Sequence, residues 1–251
     1  MNLKLNGDQI FYTLQGEAPF IGEPAVFIRL SVCNARCTWC DTPTAVFPDQ
    51  LEIFNRAAEE VAKELGALLA EKECQLLVIT GGEPMLQRKQ LKEMLQLLDK
   101  ELVALGHGGV TVQFETNGSQ RQYNALETAA IVKHSSWSEG LYRLYYVVSP
   151  KDGFEGNEDL KLEVDRGFFA KDRVGLGHVT FKMVHVNRKS CEQEVAKLLA
   201  KGVSKKQIYL MPEGWVPDSA AHQRCAATAL ALKVRMSPRL HTMIWGDARG
   251  V

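Results

Sequence analysis

Pro24-Ala25-Val26-Phe27-Ile28-Arg29-Leu30 runs directly into Ser31-Val32-Cys33-Asn34-Ala35-Arg36-Cys37-Thr38-Trp39-Cys40-Asp41-Thr42. The first seven residues form an apolar, β-branched run that reads as a buried strand. The next twelve form a polar loop carrying three cysteines. Further strand-like runs follow at Gln75–Thr80, Val110–Glu115, Leu144–Ser149, Val179–His185, Gln207–Met211 and Leu240–Trp245. Between the first two, Phe54, Ala57, Ala58, Val61, Leu65 and Leu68 recur at helical spacing and make one apolar stripe. Helical patterns also cover Lys89–Leu102, Cys191–Lys201 and Ala220–Lys233. Strands alternating with helices predict a mainly parallel sheet clothed by helices. Seven strands with fewer than eight full helices predict an α/β fold, an incomplete TIM-type barrel with its helices outside. Chemistry then belongs at the carboxyl ends of the strands. The polar motifs fall there: Ser31–Thr42, Gly81–Pro84, Thr116–Gly118 and Ser149–Lys151.

The chain has 251 residues, enough for one substantial core, with no repeat and no linker that would separate domains. Lys plus Arg and Asp plus Glu both total 30, so the formal net charge is zero. That balance argues against broad electrostatic binding to nucleic acid. There is no apolar run of membrane-spanning length and no apolar secretory core near the N-terminus. A cytoplasmic, reducing setting is expected, where six cysteines do not make a disulfide framework.

Three of those cysteines lie within Cys33–Cys40 in CX3CX2C spacing, while Cys74, Cys191 and Cys225 stand alone. Three thiolates on one loop suit a soft metal or an iron–sulfur cluster. A structural zinc site wants a fourth protein ligand. No second cysteine pair exists, and the nearest histidine in sequence is His107. Three ligands on a four-iron cluster leave one iron open. The solitary cysteines read as buried, small apolar residues.

The triplet, its aromatic Trp39 and Thr80-Gly81-Gly82-Glu83-Pro84 at the next strand end resemble the radical S-adenosylmethionine (SAM) superfamily. The resemblance implies a 4Fe-4S cluster on Cys33, Cys37 and Cys40 with SAM on its open iron. Thr13-Leu14-Gln15-Gly16-Glu17, Cys40-Asp41-Thr42 and Val148-Ser149-Pro150-Lys151 narrow the likeness to the 7-carboxy-7-deazaguanine synthase family of queuosine synthesis. It is strong over residues 10–42 and 78–84, clear at 115–118 and 147–151, and thin after 185.

That family contracts the ring of 6-carboxy-5,6,7,8-tetrahydropterin with loss of ammonia, a carbon–nitrogen lyase reaction in which SAM is reused. The likeness implies one radical SAM core over residues 1–251, a homodimer, and a flavodoxin- or ferredoxin-type electron donor. It implies Mg2+ on Thr42, whose residue-level alternative is a turn position before Pro43. Leu14, Gln15, Gly16 and Glu17 should line the pterin pocket, their carbonyls and carboxylate facing the donor-rich ring edge. Arg29 should meet the substrate carboxylate, and Thr80 should also touch substrate. Around SAM the likeness places Trp39, Asp41, Gly82, Ser149, Pro150 and Lys151, with Glu83 near the amino group and Thr116 as a further contact. Glycine is needed at 82 for close backbone approach. Met211 reads equally as an adenine contact and as an apolar strand end. One family branch carries a pocket histidine near the last strand; here Trp245 occupies that place, and His241 shares its face if Leu240–Trp245 is a strand. The remaining histidines show no interpretable spacing. Alternatives are a small glycyl-radical activase and a non-catalytic zinc-binding module.

Overall fold

Strand residues alternate between two faces, and in this chain the two faces differ sharply. A computed structural model describes residues 1–38, 40–133, 142–151, 178–214, 218–246, 248 and 250. Trp39 and His134 lie outside them. The strands are β1 (Asn2–Leu14), β2 (Pro24–Leu30), β3 (Phe54–Ala57), β4 (Leu76–Gly81), β5 (Val110–Thr116), β6 (Tyr142–Val148), β7 (His178–His185), β8 (Ile208–Pro212) and β9 (Arg235–Met236). Among the described residues they form one nine-stranded sheet in the order β3-β1-β2-β4-β5-β6-β7-β8-β9. Only β1 runs antiparallel to its neighbours; every pair from β2 through β9 is parallel. The two ends of this order are not paired with each other, so the sheet is an open, incomplete barrel.

The helices are α1 (Ala58–Glu71), α2 (Arg88–Ala104), α3 (Ala125–Ile131), α4 (Arg188–Ala200), α5 (Ser219–Leu232) and α6 (Leu240–Trp245). Asn124, Asn187 and Asp218 cap α3, α4 and α5 with side-chain oxygens on orphan N–H groups. The main core lies between helices and sheet. Leu3, Leu5, Val26, Ile28, Leu77 and Ile79 meet Val61, Leu65, Leu91, Leu95 and Leu98 there, all fully buried. Each such side chain contributes about 1.5–3 kcal/mol by leaving water. On the opposite face Ala25, Leu76 and Val78, with Phe20 and Phe27, close the amino-terminal end of the barrel.

Three expectations change. Leu240–Trp245 is a helix, not a strand: six residues of mixed apolar pattern do not separate the two periods. The helix expected from Phe54 begins at Ala58, because Phe54–Ala57 pair with Asn2–Leu5 as an edge strand and leave Phe54 half exposed. β1, broken by an irregularity between Leu5 and Ile10, and the two-residue β9 escape a search for continuous apolar runs.

Candidate active site

The cysteine loop leaves β2 through Val32, a β-branched residue at φ 77. Such a conformation costs roughly 1–3 kcal/mol and persists only when held. Two bonds hold it: Val32 N–H donates to Ala45 O at 2.9 Å, and its carbonyl accepts from Glu83 N–H at 2.9 Å. Gly82 N–H donates to Leu30 O at 2.8 Å. A β-carbon at Gly81, which sits at φ +118, would come within 2.0 Å of Leu30 O. One at Gly82 would come within 2.1 Å of Val32 O. The double glycine therefore brings the end of β4 against the cysteine loop. That backbone contact is what excludes a β-carbon at 82.

Cys33, Cys37 and Cys40 carry thiols that are not joined in disulfides. Cys33 Sγ accepts from Ala35 N–H at 3.3 Å and Cys40 Sγ from Thr42 N–H at 3.4 Å. Burial pushes the Cys33 thiol up to about 11 and raises that of Cys40, so metal loading must release protons. Among the described residues no three His, Cys, Asp or Glu side chains are placed to hold a single ion. A zinc ion needs all its ligands on one atom, whereas the thiolates of a four-iron cluster each bind a different iron. Three thiols on one short loop are the donor set that such a cluster takes. Cys74, Cys191 and Cys225 are buried elsewhere, as expected.

Glu83 is fully buried, and both its oxygens are engaged within the protein. Oε1 accepts from Met85 N–H at 2.9 Å and Thr116 Oγ1 at 2.7 Å; Oε2 accepts from Asn117 N–H at 2.7 Å. Burial nevertheless raises its pKa. Its visible work is to join the ends of β4 and β5, which places Thr116 in the wall. Asn117 Nδ2 donates to Asn34 Oδ1 at 3.0 Å, and Asn34 Nδ2 to Ser119 Oγ at 2.8 Å, tying the cysteine loop to the same turn. Ser149 N–H donates to Thr116 O at 2.8 Å, and Lys151 Nζ to Ser149 Oγ at 2.8 Å. Burial lowers the Lys151 pKa, with the cysteine loop acting against that shift. Gly82, Glu83, Thr116 and Ser149–Lys151 thus surround one loop, Pro150 being buried. Met211 is buried on β8, paired in register with Val184.

Arg29 and Thr80 are partners in register at the ends of β2 and β4. Arg29 Nη1 donates to Thr42 Oγ1 at 3.0 Å, and Thr42 Oγ1 to Asp41 Oδ1 at 3.3 Å. The structure thereby brings together three residues from the strand and the cysteine loop. Leu14 lines an open cleft with Tyr12, Thr13, Pro24 and Trp245. The carbonyls of Gln15 and Gly16 each accept one bond within the protein, from Gly22 N–H at 2.7 Å and Leu240 N–H at 2.8 Å, and each has a second lone pair. His241 packs on Gly16, where a β-carbon would lie 2.1 Å from its Nδ1. His241 and Trp245 stand one turn apart on helix α6, so they share a side of the helix as they would have shared a face of a strand.

Glu17 binds Lys182 Nζ and, at 3.3 Å, Arg239 Nε. Lys182 Nζ also donates to Glu115 Oε2 at 2.6 Å. Arg239 Nη2 reaches Asp41 Oδ2 at 2.6 Å and its Nη1 Gly214 O at 2.7 Å. Burial alone would raise the Glu17 pKa, but Lys182, Arg239 and His241 together hold it at about 2. For Glu115 burial outweighs the pull of Lys182, and Glu17 adds repulsion, so its pKa is raised. Sequence reasoning missed Lys182, Arg239 and the role of Glu115. The available signal was a lysine and a Gln113-Phe114-Glu115 alternation inside otherwise apolar strands.

Residues 27–135 match the radical SAM superfamily. The chain is 33% identical to a 7-carboxy-7-deazaguanine synthase of Hyperthermus butylicus over 97% of this chain and 94% of that one. It is 31% identical to the one of Pyrobaculum aerophilum over 96% and 95%. The crystal structure of QueE from Escherichia coli shares the fold at a TM-score of 0.62, with 24% identity over 96% of this chain and 95% of that one. An activase or a zinc module leaves this end-to-end likeness unexplained. The chain is therefore a member of the 7-carboxy-7-deazaguanine synthase family, within the radical SAM superfamily.

Proposed function

We propose that this chain converts 6-carboxy-5,6,7,8-tetrahydropterin to 7-carboxy-7-deazaguanine with loss of ammonia, in deazapurine synthesis leading to queuosine. One observation carries the proposal: Glu17, Glu115 and Arg29 line the strand ends of the same barrel whose cysteine loop Arg239 ties to Glu17. In this reading Cys33, Cys37 and Cys40 hold a 4Fe-4S cluster, and Asp41, Gly82, Thr116, Ser149, Pro150, Lys151 and Met211 surround SAM. When bound, these groups supply a 5′-deoxyadenosyl radical. Glu83 acts as a positioning residue that fixes Thr116 and Asn117.

Arg29 offers two parallel donors to the substrate carboxylate. Arg29 holds Thr42 Oγ1 at 3.0 Å, and with Arg29 turned to the carboxylate the Thr42 hydroxyl oxygen would be available to hold Mg2+, which would help orient the substrate carboxylate. Thr80 lies beside Arg29 on the same face, and Gln15 and Glu17 face the pyrimidine edge, with Leu14 and Gly16 shaping the wall. The reading extends to a one-electron donor of flavodoxin or ferredoxin type, a homodimer, a single domain and a cytoplasmic setting without direct nucleic-acid contact. No helix of the described residues is long and apolar enough to cross a membrane.

The test is anaerobic reconstitution with iron and sulfide, then assay with the tetrahydropterin acid, SAM, Mg2+ and a reductant. Carboxydeazaguanine should accumulate over many turnovers without net loss of SAM. Cleavage of SAM with no deazaguanine product overturns the proposal. Thr42→Ala should abolish the Mg2+ dependence; unchanged Mg2+ dependence removes Thr42 from the metal site.

A further inference from the structure

Lys182 is an ammonium placed inside a strand, with only 5% of the residue exposed. It points to the barrel interior, on the same face as Thr180 and Val184, while Phe181 and Met183 belong to the helix-facing core. Two of its three N–H donors are taken, by Glu17 and by Glu115 at 2.6 Å. The other groups facing this cluster are the amides of Gln15 and Gln113, the guanidinium of Arg239, His241 on α6 and Lys151 after β6. Across Arg239 lies Asp41 at 2.6 Å; with Lys151, Lys182 and Arg239 against Glu17, Glu115 and Asp41, three positive charges balance three negative ones.

We propose that Lys182 determines which heterocycle edge this site accepts, a neutral 2-amino-4-oxo edge in preference to a 2,4-diamino edge. The inference rests on the pterin-acid reading above. Two buried carboxylates alone would draw in a cationic ring, and a diaminopyrimidine set against a carboxylate takes up a proton easily. Lys182 cancels that attraction. Its third N–H meets an oxo group favourably and an amino group unfavourably. The carboxylates, kept as pure acceptors, still receive the ring N–H and the 2-amino group.

The experiment is equilibrium dialysis of the cluster-loaded protein with 6-carboxypterin and with its 2,4-diamino counterpart. The wild type should favour the oxo compound by roughly tenfold to a hundredfold, the range of one charge-assisted hydrogen bond. Lys182→Met should erase or reverse that preference. Because Lys182→Met leaves one carboxylate charge uncompensated, Lys182→Met/Glu115→Gln serves as a second variant with the original charge balance, and it too should lose the preference. A preference unchanged in both variants overturns the proposal while the pterin reading stands. Diamino binding equal to oxo binding in the wild type does the same. If the wild type binds neither compound, the pterin reading falls and this inference falls with it.

Discussion

The two faces of the sheet are built from alternate residues of the same strands, yet they are different kinds of material. Toward the helices β5 presents Val112 and Phe114, and β7 presents Val179 and Phe181, in an apolar core. Toward the barrel interior the same strands present Gln113, Glu115 and Lys182. The first face is held by apolar burial, which admits a polar atom only with a partner, as where the Tyr146 hydroxyl accepts from Tyr123 N–H at 3.2 Å. The second is an ion network whose members each cost desolvation and are kept in place by partners. The contrast teaches that stability and chemistry are separable here, one residue out of register with each other.

The largest effect expected from that separation is on the cysteine loop. Cys37→Ala should eliminate iron binding and all turnover, measured by iron content and assay, while the metal-free protein keeps its melting temperature within a few degrees. A large fall in that temperature would show that loop and core are one cooperative unit. The converse is Leu77→Ala in the helix-facing core. It should cost about 2–5 kcal/mol in denaturant unfolding, with the folded fraction still binding four irons. Loss of iron from fully folded protein would break the separation.

Gly82→Ala probes the seam between the two regions, because its new methyl would meet Val32 O. A destabilisation of about 1–3 kcal/mol is expected, together with incomplete cluster loading, since the clash is on backbone that positions Cys33. Full loading with unchanged stability would show that the loop yields freely.

The smallest effect concerns pH. The Glu17 carboxyl is depressed from 4.5 to about 2 in the folded protein, so its contribution is present above 4.5 and is lost as pH falls toward 2. The raised pKa of Glu115 works in the opposite direction and offsets some of this. Glu17→Gln should therefore flatten the acid limb of the stability curve in that window. Unfolding titrations at pH 3 and pH 6 check it; an unchanged difference between them would mean the lysine serves Glu115 instead.

The sequence by itself determined the cysteine loop, the double glycine and the parallel strand-helix order, because each is a short-range matter. Thiolate spacing, left-handed backbone and apolar periodicity are written within a dozen consecutive residues. It also singled out Arg29 and Thr42 through motif likeness alone, while their contact came from the fold. Tertiary structure alone decided the ion network, since Glu17, Glu115, Lys182 and Arg239 are separated by dozens of residues and meet only when the sheet curls. It also decided that Leu240–Trp245 is a helix: a six-residue segment takes its conformation from what it packs on. Here that is the Gly16 backbone beneath His241. Local sequence sets the conformations a segment can adopt, and long-range burial of charge and of apolar surface selects among them.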